Sequence, residues 1–117
     1  MFAMRTNQPA VSDMLVTVKS RELQRGMLAK MSNHHAEAKQ HLLAAAHLEL
    51  VLAHDYEGVG EPELSWRSQV SAASCFWLAG WQTRAREILG SLLQTDPTRA
   101  AELQVIAADL MKNGTGD

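Results

Sequence analysis

The stretch FWLAGWQTRAREILGSLLQTDP, residues 76–97, decides how this chain is read, because it punctuates two helical patterns with a glycine and then with Asp-Pro. Gly80 interrupts the first pattern and predicts the end of a helix over about 62–79. Ala85, Ile88, Leu89, Leu92 and Leu93 then recur at helical spacing, which predicts a helix over 82–94 with those side chains inward. Asp96-Pro97 is a start signal, a capping carboxylate followed by a residue whose missing N–H costs nothing in a first turn. It predicts a further helix over 97–112, with Leu103, Ile106, Ala107 and Leu110 on one stripe and a stop at Asn113-Gly114.

Working back toward the amino terminus, HDYEGVGEPELS (residues 54–65) is the clearest break: Gly58 and Gly60 are permissive, and Pro62 suits the first turn of the helix that follows. Before it, Ala38, Leu42, Ala45, Leu48 and Leu52 line one side of a helix and Leu43, Ala46, Leu50 and Ala53 another, so this helix is expected to be apolar nearly all round and buried between neighbours. Ser32-Asn33 reads as its capping pair, and the short MSNHH connection makes it antiparallel to a first helix over 13–31, opened by Ser12-Asp13. Residues 1–11 and 113–117 read as a loose tail and a frayed end around one domain spanning 12–112.

Composition agrees with an all-α chain. It is 46% hydrophobic and 21% charged, with 7 Gly and 3 Pro, and its β-branched residues are scattered singly, so little of it reads as strand. The net charge of −2 and the absence of a Lys/Arg cluster give a nucleic-acid role little support. Between residues 31 and 63, Glu37, Glu49, Asp55, Glu57, Glu61 and Glu63 face only Lys39, an acidic band expected to be a solvated rim. The single cysteine, Cys75, cannot form an internal disulfide and fits a reducing compartment. The longest apolar run is cut by His and Glu well short of a membrane span, so a cytoplasmic protein without membrane partners is expected.

Counting from Ala85, Gly80 lies five back, Leu89 four on, Leu92 seven on and Pro97 twelve on. This spacing resembles the second half of a tetratricopeptide repeat, in which glycine makes the turn, a small residue lets two helices approach and proline opens the next repeat. Ala73 and Phe76 stand where the first half wants a small residue and an aromatic, while Gln69 and Ala72 replace the family's Trp and Leu. The likeness is fullest over 66–99 and extends to 19–50 and 100–112. At the family's period of about 34 residues, Ala73 steps to Ala107 and Phe76 to Leu110. Backward, Ala38 aligns with Ala85 at a spacing of 47, and Gly26 takes the close-contact position of Ala73.

The resemblance implies stacked antiparallel hairpins, about five helices in a right-handed superhelix closed by a capping helix. It further implies an adaptor without enzymatic activity or cofactor, whose first helices line a groove for a peptide or partner helix, with homodimerisation through exposed ends. The groove-facing positions would be Ser20, Leu23, Met27 and Lys30 from one helix and Arg67, Val70, Ser74 and Trp77 from another. The basic clamp that some members use for a terminal carboxylate is represented only by Lys30 and Arg67.

All five histidines fall between residues 34 and 54. His34, Glu37 and His41 share a helical face and could chelate a divalent metal, the alternative to a polar helix edge; no second helix supplies a matching set of ligands, Glu22 being the nearest candidate and one residue too few. Cys75 lacks a nearby Cys-His signature and reads as a small buried hydrophobe. Ser65, Ser68, Ser71 and Ser74, three apart, read as a polar or tightly packed seam. Of the tryptophans, Trp81 is expected in the core beside Gly80, and Trp77, eleven residues from Trp66 on the same face, is expected to make partner contact.

Overall fold

The computed structural model describes residues 11–113, and among these the chain is all-helical. Helix α1 spans Val11–Met31, α2 His35–Gly58, α3 Pro62–Leu78, α4 Gln82–Thr95 and α5 Ala100–Asn113, with a short 3₁₀ turn at Pro97–Arg99. The expected tail and frayed end lie outside the described residues except for Val11, which opens α1, and Asn113, which closes α5. No described helix is long and apolar enough to cross a membrane.

Three of the connections are one backbone motif written with different residues. Asn33, Gly60 and Gly80 carry φ of 61°, 77° and 89°, the left-handed conformation in which glycine meets no steric cost and asparagine little. Behind each, two N–H groups reach back into the finished helix: His34 to Ala29 O at 2.8 Å and Asn33 to Lys30 O at 3.1 Å, Glu61 to Tyr56 O at 2.9 Å and Gly60 to Glu57 O at 3.2 Å, Trp81 to Phe76 O at 2.8 Å and Gly80 to Trp77 O at 3.0 Å. This pairing is the Schellman closure, and it satisfies carbonyls that a helix end otherwise leaves open. The next residue, His34, Glu61 or Trp81, leaves the helical region, with ψ of 73°, 71° and 62°, and serves as N-cap of the following helix without a side-chain cap bond.

Ser32-Asn33 is therefore corrected from a start signal to a stop signal: Asn33 ends α1, and His34 begins α2. Helix α2 also runs to Gly58, deeper into the expected break, because Gly60 rather than Gly58 makes the turn. The fourth connection behaves as Asp96-Pro97 suggests, with the Asp96 carboxylate accepting from Thr98 N at 3.2 Å, but the turn it opens is 3₁₀ before α5 becomes α-helical.

Consecutive helices pack side by side, α1 on α2, α2 on α3 and α3 on α4, while α5 rests on α3 and α4. The molecule is flattened, 53 × 37 × 17 Å; the middle dimension matches α2, whose 24 residues span about 36 Å. Ala45, Ala46, Ala72, Ala73 and Ala85 are wholly buried, so small side chains bring α2, α3 and α4 together. Phe76, Trp77, Ile88, Leu92, Leu103 and Leu110 fill the same cluster. Helix α2 lies between α1 and α3 as expected, with Leu42, Ala45, Ala46, Leu52 and Ala53 buried and Leu43, Leu48 and Leu50 half-buried, while Val51 on its outer side is 52% exposed. Likewise Leu93, expected inward, is 41% exposed, since α4 packs on one side only.

Candidate functional site

Helix α1 uses one face and leaves another open. Leu15, Lys19, Glu22, Gly26 and Ala29, spaced four and three apart, are its shielded stripe against α2. Beside that stripe run Val16, Ser20, Leu23, Met27 and Lys30; Val16 and Ser20 are exposed, Met27 is 41% exposed, and Leu23 and Lys30 are half-buried, with Leu23 packed on the core. On α3 the least covered stripe is Arg67, Ser71, Ser74 and Leu78. Arg67 pairs with Glu63 at 3.3 Å, the Ser74 hydroxyl donates to Val70 O at 3.1 Å, and Val70 is half-buried against the core. Ser65 and Ser68, one turn away, are buried, so the serine seam is a packing surface at its start and opens only toward Ser71 and Ser74.

The two tryptophans exchange their expected places. Trp77 is 7% exposed, inside the α3–α4–α5 cluster with the Arg86 guanidinium 5.2 Å above its ring, whereas Trp81 is 41% exposed. The cause is local: Trp81 follows left-handed Gly80 as N-cap of α4, so it sits at the rim, stacked on Phe76 at 5.8 Å with His47 edge-on to both rings. Trp77, one helix side away from Arg67 and Ser74, turns toward α4.

Beneath the α1 and α3 stripes lies a buried polar knot that the acidic-band reading missed. Glu49 is 4% exposed rather than solvated, and its carboxylate meets Lys19 Nζ of α1 at 3.4 Å. The spacing held the signal, since Glu49 falls seven after Leu42, four after Ala45 and three before Leu52, in the middle of the buried stripe. Cys75 of α3, 4% exposed, feels both charges: burial pushes its thiol up from 9.0 to about 11, the Glu49 carboxylate adds to that rise and Lys19 opposes it. A thiol so held is protonated near neutral pH and a poor nucleophile.

His34, Glu37 and His41 do line one cleft with Arg25 and Ser32 at the α1–α2 turn. They do not converge on one point, however: His41 pairs outside the set and His34 within it. His41 Nδ1 lies 2.5 Å from Glu22 of α1, which also holds Arg25 at 3.3 Å, and His34 is 3.5 Å from Glu37. Among the described residues no three His, Cys, Asp or Glu side chains converge as a metal site requires.

A second charged constellation joins α3 to α5. Arg99 bonds Glu63 at 2.8 Å and Glu102 at 2.9 and 3.0 Å, and its guanidinium lies 3.4 Å above Trp66. The Glu102 hydrogen bond leads the effects that raise Arg99's affinity for its proton, and the same bond holds the Glu102 carboxyl below the usual carboxylate range. A cleft of about 350 Å³ opens beside this group between α3 and the end of α4. The indole nitrogens of Trp66 and Trp77 are buried without a hydrogen-bond partner.

No family model, curated protein or solved structure matches the chain.

Proposed function

We propose that the chain is a non-enzymatic interaction module built from tetratricopeptide-like hairpins, holding a partner's peptide or helix along the open stripes of α1 and α3. The observation that carries the reading is the second face of α1: its shielded stripe is spent on α2, yet Val16 and Met27 remain exposed beside half-buried Leu23. Flexible methionine next to aliphatic residues suits an apolar partner surface of adjustable shape. Lys30 ends the α1 stripe, and Arg67, paired with Glu63 at 3.3 Å, stands on that of α3. Met31 extends the α1 face at 78% exposure. The buried thiol, with its raised pKa, argues against Cys75 as a catalytic nucleophile.

Met27→Glu together with Arg67→Glu tests the site without disturbing the core, because both side chains are exposed. In a pull-down from native lysate read by mass spectrometry, the wild-type chain retains specific proteins and the double variant loses them, with helicity by circular dichroism unchanged. Equal capture by the folded variant removes the groove reading. Trp77 is unsuitable for this test, since its replacement opens the core.

A further inference from the structure

We draw no further inference here: the strongest candidate, the cleft of about 350 Å³ between the start of α3 and the end of α4, gathers Glu57, Glu63 and Asp96 beside Trp66, but it is a carboxylate cluster whose cation is the chain's own Arg99, and nothing in the structure shows what occupies it.

Discussion

The α1–α2 hairpin and the α3–α4 hairpin close with the same backbone turn, left-handed Asn33 in one and Gly80 in the other, yet they are held together by different physics. Across α3–α4 the contact is aromatic and alanine-rich: Phe76, Trp77, Ala85, Ile88 and Leu92 are all nearly dry. Across α1–α2 it is a seam of charges, Lys19 on Glu49 and Glu22 on His41, around one glycine, Gly26, lying against Leu42. Non-directional burial tolerates small shifts, whereas an ion pair and a glycine contact fix register. One turn thus serves two interfaces, and α1 is the helix whose seat depends on a few specific groups.

The sharpest way to break that contrast is to remove one member of the buried pair. Lys19→Met leaves the Glu49 carboxylate without its countercharge, and loss of one partner of a buried pair costs about 3–5 kcal/mol. Lys19 keeps a fifth of its side chain in water, so the expected loss is about 3 kcal/mol. Denaturant titration gives the size, and hydrogen exchange should find the lost protection concentrated in α1 and its side of α2. Lys19→Met with Glu49→Leu should recover most of it, because an apolar pair fills the space without a stranded charge. A full loss shared evenly by α4 and α5 would mean that the hairpins are not separately held.

The junction of the two hairpins has its own reporter in Cys75. Its thiol is raised from 9.0 to about 11 in the folded chain. A raised acid binds its proton more tightly when folded, so its contribution is full below pH 9 and fades as pH climbs to about 11, a loss on the order of a few kcal/mol at most. The stability of wild type should therefore fall faster than that of Cys75→Ala between those values, other alkaline groups being common to both. Parallel curves would mean that water reaches the knot.

The punctuation residues made most of the helix order legible. Gly60, Gly80 and Asp96-Pro97 act through backbone geometry that any neighbour leaves intact. What the residues did not reveal concerned which side of a helix is covered. Helix α3 is packed on two sides, so Trp77 and Ser74, three apart, fall on opposite fates, and nothing in a lone sequence says whether the aromatic or the serine faces the next helix. Glu49 was legible by spacing but hidden by its type, because carboxylates are rarely buried unless paired, and its partner Lys19 lies thirty residues away on another helix. His34, Glu37 and His41 were legible as one face and Glu22 as the nearest acid to it; that Glu22 pairs with His41 alone of the three was not.

The smallest expected effect is the most discriminating, because one substitution made in both hairpins should change sign. Alanine is favoured over glycine inside a helix by about 1 kcal/mol. At Gly90 of α4 a new methyl meets nothing within 4 Å, so Gly90→Ala should add up to about that amount. At Gly26 the same methyl lies 3.0 Å from Leu42 Cγ, 3.1 Å from its Cδ2 and 3.3 Å from its backbone nitrogen. Leu42 is 1% exposed and has nowhere to swing, and the backbone nitrogen moves only if α2 does. Overpacking of this kind costs about 1–3 kcal/mol, which outweighs the propensity gain and predicts a net loss on the order of 1 kcal/mol for Gly26→Ala. Thermal midpoints of the two variants should accordingly move in opposite directions from wild type. If both rise, α1 does not approach α2 as closely as the glycine contact requires, and the first hairpin is held by charge alone.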